Sequence, residues 1–293
     1  MTGLDPEVFE AIRDLVYRRT GIAFDDRKRA FVASRVARRL AELDLEGPVE
    51  YLRHLRYADP EGSEFQTLVE LLTTNETYFF REYDQLALFA NHLLPELADR
   101  KREAGDRRLR LWSAACSTGD EAYTLAIILR ACLDDFEDWR VEVLGTDIDR
   151  RVLSTARRAT YGRRAVKDVP QPYLEAYFDR VDGGFRVRDE IRSLVRFEQL
   201  NLLDDPAMER IRGMDTTFCR NVLIYFDDAA RRRVLSHFYD ALHPGGYLFL
   251  GHSESVARIS DAFEMQRVEG EIAYRKPLEK EEGVPAHRRR AAR

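Results

Sequence analysis

Along residues 5–55 apolar side chains recur every three or four positions, the spacing that lines one face of a helix. Phe9, Ile12, Leu15 and Val16 form the first such stripe. Asp5 before Pro6 predicts an N-cap followed by a first-turn proline, and Thr20-Gly21 predicts the stop. Asp25 or Asp26 is expected to cap a second helix running to Leu43, with Val32, Val36 and Leu40 facing inward. Further helices are predicted over Val49–Tyr57 and Glu64–Thr73. Residues 1–82 therefore read as an all-α N-terminal domain with its linker. The linker, Leu71–Arg81, breaks the period. Five polar residues, Thr73 to Thr77, precede Tyr78-Phe79-Phe80 and Arg81, a composition that fits a lid or site wall better than a spacer.

After a helix over Asp84–Arg102, kinked at Pro95, the pattern changes. Short apolar runs now alternate with helical ones. Strands are predicted at Leu109–Ser113, Val141–Thr146, Leu194–Leu200, Thr216–Cys219 and Tyr247–Leu250. Helices are predicted over Glu121–Leu133, from Asp149 to Thr160, near Pro206–Ile211 and over Asp227–Leu242, with a turn at His243–Gly246. This alternation implies an α/β, Rossmann-like parallel sheet with right-handed crossovers over residues 83–277. A closing hairpin around Glu269-Gly270-Glu271 adds an antiparallel edge. Within this domain, Asp182-Gly183-Gly184 sits between alternating runs and marks a small inserted β unit, about residues 163–192. The tail, 278–293, has few apolar residues and is expected to be disordered.

The most informative stretch is Arg110–Thr124, strand, small-residue turn and helix in succession. A dinucleotide site would show G-x-G-x-x-G, but only Gly119 is present. Asp120 and Glu121 open the helix, where a phosphate would need bare N–H groups and a positive dipole. A ligand with hydroxyls or a cationic centre suits the turn better. In open α/β sheets ligands bind across the carboxyl ends of the strands. Those ends carry Glu121, Asp147, Asn201 and Arg220-Asn221. A carboxylate can accept from a ribose diol, Glu121 can hold an ammonium, and an Asn can satisfy both donor and acceptor on an adenine edge. The set fits S-adenosylmethionine. The plainer alternative is that the Asp and Asn residues cap the following helices.

Charge and cysteine content narrow the setting. The formal net charge is −5, which excludes a generic nucleic-acid binder. The charge is uneven, because Arg27 to Ala41 contains no acid, and Lys28, Arg35, Arg38 and Arg39 share a helix. That face is either simply solvated or a dock for an acidic partner helix. Three scattered cysteines and six histidines without ligand spacing argue for reduced thiols and against a metal. No run is apolar enough for a membrane span and no signal-peptide pattern opens the chain, so a cytoplasmic location is expected.

The strings TTNETYFFRE, RLWSAACSTGDEAYT, GTDID, CRNVLIYF and HPGGYLFLGHSE occur in one order, after the basic helix. Together they resemble the CheR-type chemoreceptor glutamate O-methyltransferases, over about Val8 to Lys276. The resemblance implies an S-adenosylmethionine-dependent enzyme that forms methyl esters on glutamates of receptor cytoplasmic helices and releases S-adenosylhomocysteine. It implies cofactor contacts by Asn75, Thr77, Arg81, Glu121, Asp147, Asn201, Leu202, Arg220 and Asn221, and places Tyr225 near the transferred methyl; Arg81 is expected to orient a carboxylate, of substrate or of methionine. Lys28, Arg35, Arg38 and Arg39 become the receptor dock. Asp120-Glu121-Ala122 departs from the family's Glu-Glu-Pro but keeps the second acid. The short turn at Gly183-Gly184 leads us to expect no dependence on a receptor tether peptide. A monomer is expected. Two other readings remain. One is an amino-methyltransferase on nucleic acid, although Asn221-Val222-Leu223-Ile224-Tyr225 lacks the prolines of its Asn/Asp-Pro-Pro-Tyr turn. The other is a non-catalytic cofactor sensor.

Overall fold

The computed structural model describes residues 4–278. The expected disordered tail lies outside those residues, apart from Leu278.

The N-terminal helices are α1 (Pro6–Thr20), α2 (Arg29–Leu43), α3 (Pro48–Arg53) and α4 (Ser63–Leu72). Asp5 accepts from the Glu7 amide at the start of α1, and Gly21 ends it in the left-handed conformation. The second helix departs from expectation at its start. A 3₁₀ turn, Asp26–Lys28, precedes α2, because the Asp25 carboxylate is taken by Arg27 instead of helix amides. Next come α5 (Tyr83–Leu88) and α6 (Leu94–Glu103). The expected single helix is broken by a π turn, Phe89–Leu93, which lets Pro95 enter the first turn of α6, where its missing N–H costs no helix bond.

The remaining elements are β1 (Arg108–Ala114), α7 (Asp120–Cys132), β2 (Arg140–Asp147), α8 (Arg150–Arg158), β3 (Thr160–Tyr161), α9 (Gln171–Tyr177), β4 (Phe178–Val181), β5 (Gly184–Val187), α10 (Asp189–Arg192), β6 (Val195–Gln199), α11 (Asp205–Met208), β7 (Met214–Cys219), α12 (Asp228–Ala241), β8 (Leu242–Leu250), β9 (Glu264–Val268) and β10 (Glu271–Arg275). The main sheet has seven strands in the order β6-β2-β1-β7-β8-β10-β9. The first five are parallel, and β10 runs antiparallel to β8 and β9. The chain leaves β1 towards β2 and β6, then returns to β7 on its other side. That reversal is the topological switch point, where a crevice opens at the strand ends. The inserted unit is a three-stranded sheet, β3-β5-β4, so Thr160–Tyr161 joins it from before the expected boundary.

The expected turn at His243–Gly246 is instead a bulge inside a longer β8. Leu242 pairs with Met214 and Tyr247 with Thr216, so four residues of β8 bulge out opposite Asp215. Gly245 takes φ 74° there, and a Cβ on Gly246 would stand 2.9 Å from the Asp215 carbonyl.

Side chains alternate between the two faces of the sheet. Trp112, Leu144 and Leu248 pack into one core with α12 and the N-terminal helices. Leu111, Val143, Phe218 and Phe249 pack into the other, with α5, α6 and α7. The N-terminal domain thus shares a core with one face of the sheet.

Candidate active site

A cavity of ≈ 250 Å³ opens at the switch point. Its lining comes from the ends of four parallel strands: Ala115–Ser117 after β1, Asp147–Ile148 at β2, Leu200–Leu202 after β6, and Arg220–Val222 after β7. The strap Leu72–Thr77 with Arg81 closes one side, Glu121 stands at the start of α7, and Ile224–Phe226 close the mouth.

The strap is irregular and firmly pinned. Phe79 and Phe80 are buried, and Phe79 packs edge-on against Tyr161 and Phe178 of the inserted unit. The Phe79 amide donates to the Ala165 carbonyl, and the Phe80 amide to Thr124 Oγ1. The aromatics are therefore anchors, and the polar residues before them form a wall. Asn75 donates to Asp149 Oδ2 at 2.9 Å, and Ser117 Oγ donates to the Asn75 carbonyl at 3.2 Å. Backbone strain gathers at the same place. Ala115, Ser117 and Asn221 all have φ between 50° and 61°, a conformation that L side chains avoid and that clusters at working sites.

All of the sequence-predicted residues Asn75, Thr77, Arg81, Glu121, Asp147, Asn201, Leu202, Arg220, Asn221 and Tyr225 line this cavity. Their immediate partners refine the expected roles. Glu121 accepts from Ser113 Oγ and from Arg220 Nε, both at 2.7 Å. Arg220 also donates to the Arg81 carbonyl at 2.8 Å, and Arg81 to the Glu76 carbonyl at 2.8 Å. Asp147 accepts backbone amides on both oxygens, from Ser117 at 2.8 Å and Asp149 at 2.9 Å. Burial pushes its carboxyl up to about 6 despite those amides. Asp149, rather than Asp147, caps α8, accepting from the Arg151 amide at 2.8 Å. Asn201 is also tied to its surroundings. Its amide donates to the Arg19 carbonyl at 2.7 Å and its oxygen accepts from the Leu203 amide at 3.0 Å. The side chain fixes the loop after β6 to α1, and still has a second N–H and a second lone pair beside the cavity.

Gly119 does not line the cavity. A Cβ there would stand 2.8 Å from the Ala156 Cβ and 2.9 Å from Phe197, so it permits α7 to pack on α8 and β6. Thr20 and Ile22 line the cavity without having been expected there. Ile22 forms an antiparallel bridge with Phe226, and the Ala23 amide donates to the Tyr225 carbonyl. Neither contact has a local sequence signal, because each joins segments some 200 residues apart.

The expected docking set divides. Lys28 and Arg38 are exposed. Arg35 donates to the Leu71 carbonyl at 3.1 Å and stacks over Phe31. Arg39 turns inward, against expectation. It is buried, grips Glu64 with two bonds at 2.7 and 2.8 Å, and meets Glu42. Glu64 also accepts from Tyr51. Arg39 sits among the buried positions of α2 with Val32 and Val36, so helical phase places it in the core.

Among the described residues no helix is long and apolar enough to cross a membrane. Glu121 and Asp147 as acceptors, with Arg81 and Arg220 as cations, suit a zwitterionic nucleoside with hydroxyls. Residues 75–272 match the family described as CheR methyltransferase, SAM binding domain, and residues 7–73 match its all-alpha domain. Chemotaxis protein methyltransferase 2 of Vibrio cholerae is 39% identical over 270 residues, covering 92% of each chain. Chemotaxis protein methyltransferase 2 of Pseudomonas aeruginosa is 41% identical, covering 87% of this chain and 88% of its own. The Escherichia coli chemotaxis protein methyltransferase is 37% identical over 91% of this chain and 89% of its own. The two domains, the cavity between them and these relatives make the chain a member of the CheR methyltransferase family.

Proposed function

We propose that the chain transfers the methyl group of S-adenosylmethionine to glutamate side chains on the cytoplasmic helices of chemoreceptors, acting as a monomer in the cytoplasm. The observation that carries this reading is the mixed lining of the cavity, where Glu121, Asp147, Arg81, Arg220 and Tyr225 come together. Glu121 and Asp147 serve the cofactor's ammonium and ribose, and Asn75, Thr77, Leu202, Arg220 and Asn221 shape the rest of its pocket. Asn201 offers its remaining N–H and lone pair to the adenine edge while it fixes the loop. The cofactor supplies an electrophilic methyl carried on a sulfonium. A glutamate carboxylate is already ionised at neutral pH, so attack needs no general base. What remains is positioning and exclusion of water. Arg81 and Tyr225 supply it, the guanidinium orienting a carboxylate and the phenol donating to the attacking group. Lys28 and Arg38, exposed on the N-terminal domain, meet the acidic receptor helix, with Arg35 partly engaged behind them.

Methyl-labelled cofactor is supplied to receptor-enriched membranes and, separately, to nucleic acid. Base-labile label on membrane protein is expected. Label on nucleic acid, or none on receptor, sinks the reading. Arg81→Ala should abolish transfer while leaving the fold intact, and Tyr225→Phe should slow it.

A further inference from the structure

The loop that closes the cavity mouth, Asn221–Tyr225, has little regular structure beyond a 3₁₀ turn over Leu223–Tyr225. Arg231 Nε donates to its Leu223 carbonyl at 2.9 Å, and its backbone amides are gathered by a single carboxylate, that of Glu254. Glu254 lies in the Gly251-His252-Ser253-Glu254 turn that follows β8, next to the end of β7 in the sheet. One carboxylate oxygen accepts the Asn221 and Gly251 amides, each at 2.8 Å. The other accepts the Val222 amide at 2.8 Å and the Ile224 amide at 3.3 Å. Asn221 is kept at φ 61° under this carboxylate, and its side chain donates to Glu82 at 3.3 Å. The cradle has no room for another atom. A Cβ on Gly251 would stand 2.7 Å from Asn221 Nδ2, 2.9 Å from the Asn221 amide and 3.0 Å from Glu254 Oε2.

We propose that Glu254 is a positioning residue for methyl transfer: by gathering the Asn221, Val222 and Ile224 amides onto one carboxylate, it sets where Asn221 and Tyr225 stand in the cavity. It touches neither reacting group, and it lines no part of the cavity itself. An ionised carboxylate is an acceptor on both oxygens, which is what four converging N–H groups demand. A glutamine of the same shape offers one acceptor oxygen. Its NH₂ would face two backbone donors, leaving them unpaired and the loop free to shift.

The inference rests on the methyl-transfer reading, and the experiment separates the two. Wild type is first assayed for methyl transfer to receptor membranes, which judges that reading alone. Glu254→Gln is then compared with wild type by amide hydrogen exchange, by calorimetry with S-adenosylhomocysteine, and by turnover. Exchange at Asn221, Val222 and Ile224 should quicken by about tenfold or more, with β7 and β8 unchanged. Turnover should fall roughly 10- to 100-fold, and by a clearly larger factor than product affinity. Unchanged exchange in the loop overturns the proposal, and so does an equal loss of turnover and affinity with faster exchange throughout β7 and β8. If Glu254→Gln does not fold, Gly251→Ala keeps the carboxylate but crowds the cradle. It should show the same split, and wild-type exchange and turnover in it would overturn the proposal.

Discussion

Arg220, at the end of β7, donates through Nε to Glu121, in the first turn of α7, at 2.7 Å. The pair ties the two sides of the switch point together, and Arg220 is almost wholly buried with its partner. Removing Glu121 leaves the buried guanidinium with the Arg81 carbonyl at 2.8 Å and, as its remaining carboxylate, Glu82 at 3.6 Å. Glu121→Ala should therefore lose cofactor binding and also destabilise the fold by roughly 3 kcal/mol in urea. Wild-type stability in that variant would mean that Arg220 finds another acceptor.

How much of this was legible in the chain depended on distance along it. Glu121, Asp147 and Asn221 were readable because strand-end chemistry follows directly from the alternating pattern. Asn201 was read at the right place, but its bond to the Arg19 carbonyl was not, since nothing local announces it. Arg39 was misplaced because charge alone was counted, whereas the phase of Val32 and Val36 already pointed it inward. The Ile22 and Glu254 contacts were invisible, as each joins segments that only the folded sheet brings together.

As the proposed ribose acceptor, Asp147 should make the cofactor affinity sensitive to pH. Burial holds its carboxyl at about 6, above the ordinary value of 3.8. Between those values the native chain keeps a proton that the unfolded chain has lost. The resulting stability is present at low pH and disappears as pH rises through about 6. Ligand hydroxyls donating to the carboxylate favour its ionised form. Binding should thus release protons near pH ~6 and almost none near pH ~8. Calorimetry in buffers of different ionisation enthalpy measures this, and proton uptake at the lower pH would contradict it. Asp120 is also pushed up to about 6 by burial, so Asp120→Asn serves as the control.

The basic helix should show two phenotypes. Lys28→Glu with Arg38→Glu should weaken receptor binding, most at low salt, without changing stability. Arg39→Ala should leave Glu64 buried with Tyr51 as its remaining side-chain partner and cost roughly 3 kcal/mol of stability. Receptor pull-down alongside urea denaturation distinguishes the two.

Gly119→Ala tests packing apart from chemistry. The residue has φ 89°, and its Cβ would meet Ala156 and Phe197 under 3.0 Å. A loss of about 1–3 kcal/mol is expected. A stability equal to wild type, by denaturant melting, would show that α7 and α8 can separate without cost.

The Ile22–Phe226 bridge bears on recombination between relatives. A graft intended to change receptor choice would naturally be cut at the family's own domain boundary, between residues 73 and 75. That cut imports Thr20 and Ile22, and with them part of the cofactor wall. Recipient and donor must then agree across the Tyr225–Ala23 ladder, or the chimera loses cofactor before its receptor preference can be read. Grafting only the segment from Phe24 to Leu71 would move the basic helix and leave the wall with its native partner.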